Sequence, residues 1–351
     1  MIVFIAPFPA MMDEKDGFIQ RIAWIDSLVA DNIRIYLDIS FFRFWFARRQ
    51  YFGKVTVFKL NAFIHFFLIL SLINRASVVY VHSIFNSIKV LPAYWYSQII
   101  TDLHGVVPEE LKFSNKLWRA AVFGLVERIV LRQSRTVVYV TSAMKMHFYR
   151  KYRRNSPTDY TIAILPKITD IKSQFDDTLS VMRDPSAVIY AGGLQAWQNV
   201  KIMVESAART PKFKFIFLSG EAPALQQVIE QANVVNFTCL SVDPLKVSDY
   251  YVKCTYGFIL RDSILLNRVA CPTKLVEYLY WGVIPIILTS DIGDFSELGF
   301  TFISLGNFIA GNIPDVIELE RMREINRKIV DGLFDTCNNE LLRLSQELKN
   351  N

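Results

Sequence analysis

Long apolar runs, paired cysteines and internal repeats are all scarce in this chain of 351 residues. Its longest apolar run, 62–73 (AFIHFFLILSLI), contains His65 and is too short to cross a bilayer. The four cysteines, Cys239, Cys254, Cys271 and Cys337, have neither metal-ligand nor disulfide-framework spacing. Free thiols in a reducing cytoplasm are therefore expected. No basic start precedes Pro7, so no secretory signal is expected. No Asp-x-Asp pair follows an expected strand, so no metal held by such a pair is expected. Low-complexity segments are absent as well, and 52% hydrophobic residues exclude general disorder.

What is present is a regular alternation. Strand-like runs at 2–6, 33–38, 55–58, 77–81, 98–102 and 136–140 are separated by helical patterns at 18–30, 61–74 and 116–133. A second series has strands at 187–191, 214–218, 233–238, 256–260, 284–288 and 300–304, with helices at 199–209, 222–231, 244–251 and 272–281. From Pro314 onward the chain reads as helix. Strands that alternate with helices, and are apolar on both faces, predict parallel sheets covered on both sides. Between the series lies a polar stretch with Asp170, Asp176, Asp177 and Asp184. The expected organisation is an N-terminal Rossmann-like domain at 1–168, a linker at 169–185 and a second Rossmann-like domain at 186–330. A C-terminal helix at 331–351 is free to pack back on the first domain. Two such α/β domains would face each other across a cleft.

Charge changes sign along the chain. Residues 1–170 hold 22 Lys and Arg against 12 Asp and Glu, whereas residues 171–351 hold 17 against 21. The basic half interleaves its charges with aromatics, at 41–52 (FFRFWFARRQYF) and 145–154 (KMHFYRKYRR). Such segments suit an anionic membrane surface. A solvated basic face is the alternative, and no nucleic-acid recognition motif accompanies the charges.

The stretch CPTKLVEYLYWGVIPIIL (271–288) predicts a proline-started helix, a glycine and an apolar strand. In an open parallel sheet such a helix begins at the carboxyl end of a strand, where ligands sit. Pro272 suits the first helical position. The N–H groups of Thr273 and Lys274 are then free to meet an anion. Leu275, Tyr278 and Leu279 share a face that can pack on the sheet; Lys274, Glu277 and Trp281 share another. A cation at the anion-binding end suits a diphosphate, and a carboxylate one turn later suits ribose hydroxyls. The competing reading is an exposed Lys–Glu pair of little energetic weight. A second loop, YAGGLQAWQNV (190–200), places Gly192 and Gly193 after a strand, where glycine permits close backbone approach or positive φ.

Together with TDLHGVVPEE (101–110), YAGGLQAWQNV (190–200) and RDSILLNRVACPTKLVEYL (261–279), the chain resembles bacterial glycosyltransferases of the B-type (GT-B) fold, near family four. The pattern NRVA-x-PTK-x-x-EYL is typical of a capsule and O-antigen subgroup. The resemblance implies that Glu277 binds the donor ribose. It further implies that Lys274 and the N–H groups at Thr273 neutralise the diphosphate, and that Gly192 and Gly193 approach the nucleotide. It sets Gly17 in a loop under the diphosphate and points His104 at the donor sugar. Two positions depart from the family. The acid usually found eight residues before the ribose-binding one is Val269. The usual Arg and Lys of the glycine loop are replaced, with Gly193 and Gln198 nearest in register; Arg261 and Arg268 are candidates for the missing charge.

Glycosyl transfer builds negative charge on a departing diphosphate, which cations and helix N-termini stabilise without a metal. The expected activity is metal-independent, retaining transfer from a nucleotide-sugar substrate, with no further cofactor, to a lipid-linked or oligosaccharide acceptor. The expected setting is surface polysaccharide biosynthesis at the cytoplasmic face of the cell membrane. A nucleotide-sugar 2-epimerase and a non-catalytic nucleotide- or glycan-binding module are the alternatives. His104 also reads as a hydrogen-bonded structural histidine and Asp102 as a helix-start or surface acid. His65 and His82 have no evident partner.

Overall fold

The computed structural model describes residues 1–11, 17–165 and 183–350. The chain forms two compact units, one of Met1–Ala163 with Thr336–Asn351 and one of Ile164–Asp335. Of the expected linker, residues 169–182 lie outside the described residues, while Asp184 and Pro185 already belong to a strand.

In the N-terminal unit the strands are β1 (Ile2–Ile5), β2 (Arg34–Ser40), β3 (Arg48–Phe52), β4 (Val55–Asn61), β5 (Val78–His82), β6 (Ile99–Leu103), β7 (Thr136–Tyr139) and β8 (Tyr160–Thr161). They form one sheet in the order β3-β4-β2-β1-β5-β6-β7-β8. Every pairing is parallel except β3 with β4. β1 is buried at all four positions, as expected of a strand covered on both faces. On one face Phe4 and Tyr36 stack at 5.0 Å, and Ile22, Ile25 and Val29 from the following helical segment complete the layer. Leu341, Leu344 and Leu348, near the end of the helix Val316–Asn350, join the same core. β3 escaped the sequence reading because all five of its residues are exposed: it is an arginine-bearing edge strand, not a buried one.

The second unit contains β9 (Asp184–Ala191), β10 (Lys214–Leu218), β11 (Phe237–Leu240), β12 (Cys254–Ile259), β13 (Ile284–Ile287) and β14 (Ile303–Ser304). Their order is β11-β10-β9-β12-β13-β14, and all pairings are parallel. Chain direction across the sheet reverses between β9 and β12, which opens a crevice at their carboxyl ends. Phe215, Phe217, Phe258 and Phe308 fill the core with Met203, Leu225 and Ile229. The expected strand at 233–238 starts later, at Phe237, because Asn233 takes φ +57° just past the helix Ala222–Gln231. The expected helix at 61–74 is confined to Phe66–Asn74, because the Asn61 side chain accepts from the N–H groups of Phe63 and Ile64 and holds a turn. The basic segment at 145–154 lies largely in a helix, Ser142–Tyr152, that the sequence reading did not delimit.

Candidate functional site

The crevice between β9 and β12 gathers most of the expected residues of the second unit. Gly192 and Gly193 follow β9, Arg261 follows β12, and the helix Thr273–Tyr280 carries Lys274 and Glu277. Pro272 takes the N-cap position, with ψ 109°, and not the expected first helical position, which falls to Thr273. Helix geometry still leaves the N–H groups of Thr273 and Lys274 without an intrahelical acceptor.

Lys274 bends back over the glycine loop. Its Nζ lies 3.9 Å from the centre of the Tyr190 ring and 3.4 Å from Gln198 Oε1. A Cβ on Gly192 would come 2.2 Å from that Nζ and 3.0 Å from the Tyr190 hydroxyl. One on Gly193 would meet the Gln195 amide at 2.6 Å. Neither glycine has a positive φ, so both are there for space and not for a left-handed backbone.

This crevice is short of negative charge. Burial pushes the Lys274 amine well below its ordinary pKa, Arg261 adds to the effect, and Glu277 opposes it. Burial also lowers the Arg261 guanidinium to about 10. Arg261 Nη1 donates to Asn267 Oδ1 at 3.1 Å, while its buried Nε has no hydrogen-bond partner among the described residues. Burial pushes the Glu277 carboxyl up, against the opposing effects of Tyr251 and Lys274. The Tyr251 hydroxyl donates to Glu277 Oε2 at 2.8 Å, and Oε1 receives no donor among the described residues. Lys274 and Glu277 are both part-buried and neither is exposed, which overturns the reading of a solvated pair. Two cations beside one partly shielded carboxylate and two free N–H groups have the chemistry to attract an anion next to a hydroxyl acceptor.

Arg268 stands apart from this geometry. It is exposed and reaches Asp291 at 3.9 Å. Val269, where the family has an acid, is buried. Tyr190, Tyr251 and Asn267 position the charged groups and were not foreseen. Tyr190 opens the quoted glycine motif and Asn267 the quoted NRVA pattern, whereas Tyr251 carries no sequence signal of its role.

At the carboxyl end of the N-terminal sheet, His104 belongs to a buried cluster. Asp102 lies at 0% exposure and accepts from Arg21 Nε at 3.0 Å, Arg21 Nη2 at 3.3 Å and the Tyr80 hydroxyl at 3.0 Å. It is thus neither a surface acid nor a helix-start acid. His82 Nδ1 and His104 Nε2 each lie 3.5 Å from Asp102 Oδ2 and 3.3 Å from each other. Burial would raise the Asp102 carboxyl, but Arg21 and His104 outweigh it and hold it well below the usual range. Burial drives the His82 imidazole well below its ordinary value. These ligand-type atoms of His82, Asp102 and His104 lie close enough for one metal ion. Arg21 and Tyr80 already occupy the shared oxygen, however, and the guanidinium disfavours a second cation. Phe18 packs on His104 at 5.0 Å. Gly17 is exposed at the start of the helix Gly17–Ser27, with open space where a Cβ would stand, and residues 12–16 before it lie outside the described residues. His65 also has a partner: its Nδ1 accepts from the Asn61 N–H at 2.9 Å.

A scan of protein-family models finds no match to the chain, and a search of curated proteins finds none either. Solved structures do match. A sucrose-phosphate synthase from Thermosynechococcus elongatus has a TM-score of 0.74 at 13% identity, covering 99% of this chain and 98% of that one. Anabaena HepE, in complex with UDP and glucose, has 0.67 at 14% identity, covering 98% and 99%. An E. coli trehalose-6-phosphate structure bound with UDP-2-fluoro glucose has 0.66 at 9% identity, covering 99% and 98%. The chain therefore has the GT-B fold, with two Rossmann-like parallel sheets.

Proposed function

We propose that the chain is a glycosyltransferase whose second unit binds a nucleotide-sugar donor. The observation that carries this reading is a pair of cations at the carboxyl edge of the β9–β12 crevice, Lys274 bent over the glycine loop and Arg261 with a buried Nε that has no partner among the described residues, which share one carboxylate, Glu277, and call for a further anion. A donor diphosphate supplies that anion. Glu277 Oε1 takes a ribose hydroxyl while Tyr251 holds Oε2. Gly192 and Gly193 leave room for the phosphates, and Arg268 contributes longer-range charge from the rim. As the anomeric bond breaks, charge grows on the departing phosphate, and Lys274 with the Thr273 and Lys274 N–H groups stabilises it more than it stabilises the ground state. Within the N-terminal unit, His104, oriented through Asp102 and Arg21, and Gly17 are the candidate sugar contacts. The similar structures that hold UDP ligands, and the segment 261–279, support the same reading.

The acceptor is a lipid-linked or oligosaccharide glycan of a capsule or O-antigen type. Transfer retains the anomeric configuration and needs no divalent metal. The protein works in the cytoplasm at the inner face of the membrane. Nucleotide release from a panel of nucleotide sugars, with and without lipid-linked acceptors, tests this reading. Release that requires both substrates is expected. Nucleotide binding without release under any pairing would make the chain a binding module, and inversion at the donor's C2 would make it an epimerase.

A further inference from the structure

The basic half of the chain does not present its charges evenly. In the segment 145–154, Lys151 Nζ lies 2.7 Å from Glu109 and 2.6 Å from Glu127. Arg154 pairs with Asp159 at 2.6 Å and donates to three backbone carbonyls. Those charges are spent inside the unit. The segment 41–68 differs. No Asp or Glu occurs between Asp38 and Asp102, while Arg43, Arg48, Arg49, Lys54, Lys59, Arg75 and Lys89 do.

Large aromatics project from the same segment. Phe42 is 84% exposed, Trp45 66%, Phe46 85%, Phe63 71% and Phe67 84%. They are held, not dangling. The buried Asn61 side chain donates to the carbonyls of Phe41 and Arg43 at 3.1 Å each and accepts from Phe63 and Ile64, which ties the 41–47 loop to the start of the helix Phe66–Asn74. Phe41 packs on Phe63 at 5.4 Å, and Arg43 lies over Phe44 at 5.2 Å. Exposing such rings to water is unfavourable unless something covers them. Asp38 near Arg43 and Lys59, and Asp31 at Lys54, leave the surround basic on balance, which selects an anionic cover, and rings with cations beside them match the headgroup layer of a bilayer.

We propose that Phe42, Trp45, Phe46, Phe63 and Phe67 form a wedge that inserts into an anionic bilayer, with Arg43, Arg48 and Arg49 on the phosphates around it. β2 and β4 end at Ser40 and Asn61, so the wedge leaves the carboxyl edge of the N-terminal sheet, the edge at which open parallel sheets take ligands. Resting on the transferase reading above, this gives the acceptor its class: a glycan on a lipid that stays in the membrane while the protein reaches it.

Co-sedimentation of the full chain with vesicles of phosphatidylcholine, alone or mixed with phosphatidylglycerol, tests the wedge. Binding to the anionic vesicles is expected, with weak binding to neutral ones and partial retention in high salt, because inserted rings are not screened. Combined F42S, W45S, F46S and F67S should weaken binding about tenfold or more at both salt levels. F46S and F67S alone should each weaken it about threefold, which keeps the test open if the combined variant fails to fold. Wild-type-like binding by the aromatic variants, complete release of the wild type by salt, or no preference for phosphatidylglycerol would overturn the proposal. Nucleoside diphosphate affinity, measured on the same variants, should be unchanged. Failure of the wedge thus leaves the donor reading standing, and loss of nucleotide binding with intact vesicle binding does the reverse.

Discussion

Lys274 is a residue whose chemistry opposes the fold that holds it. Its amine is pushed well below the ordinary lysine value by burial and by Arg261, with only Glu277 opposing. The lowered folded-state pKa means that the protonated amine weighs against folding at neutral pH, and that this penalty disappears as pH rises from the lowered value toward the unfolded one. Lys274→Met keeps the stem over Tyr190 and removes the charge. It should raise the melting temperature of the unliganded chain by about 2–4 °C, the shift that ~1 kcal/mol gives a unit of this size. The same variant should lose stabilisation by nucleoside diphosphate. A bound diphosphate raises the amine's pKa, so binding takes up a proton at pH values between the free and bound pKa. Donor affinity in the wild type should therefore fall as pH rises through that window, and the variant's affinity should not follow it. Differential scanning calorimetry and titrations across alkaline pH measure both.

At the scale of elements, the helix Thr273–Tyr280 is placed by a missing side chain. Gly257 lies within β12, and a Cβ there would come 2.4–2.8 Å from atoms of the Tyr278 ring. That ring is fully buried and its hydroxyl donates to the Ile189 carbonyl at 3.2 Å, so it cannot step aside. Gly257→Ala should destabilise the chain by about 1–3 kcal/mol, read from denaturant midpoints. It should also weaken nucleotide binding, because the helix carries Lys274 and Glu277. Elements of this kind explain what the sequence made legible. Strands buried on both faces, such as β1 and β12, stand out as continuous apolar runs, and the helix after β12 stands out by its proline and its two charges. β3 did not, because an exposed edge strand has no apolar signature. The Asp102 cluster did not either: Arg21, Tyr80, His82 and Asp102 are up to 81 residues apart, and only the parallel sheet brings them together. Tyr251, 26 residues from Glu277, was hidden for the same reason.

For the whole molecule, the two sheets share one plan. Each has its first strand in the middle, with later strands added first on one side and then on the other. Function differs because the loops at the carboxyl edges differ. One unit presents a cationic crevice, whereas the other presents a buried Arg–Asp–His cluster and an exposed aromatic rim. The helix Val316–Asn350 contributes Leu319 and Met322 to one core and Leu341, Leu344 and Leu348 to the other. The charge asymmetry read from sequence is therefore not a property of a uniform basic surface. It includes internal ion pairs at Lys151 and Arg154, whereas Arg48 and Arg49 sit on an exposed edge strand and Arg43 has Asp38 as its nearby acid.

The central claim is that Lys274, Arg261 and Glu277 hold a nucleoside diphosphate. Isothermal titration of the full chain with a panel of nucleoside diphosphates tests it most directly, alongside Lys274→Ala and Glu277→Gln. One nucleoside diphosphate should bind the wild type with an affinity that falls about 100-fold in Lys274→Ala, a loss of ~3 kcal/mol. Glu277→Gln should lose about tenfold for that nucleotide and almost nothing for inorganic pyrophosphate, which has no ribose. No binding of any nucleoside diphosphate to the folded wild type, or equal affinity in Lys274→Ala, would contradict the account.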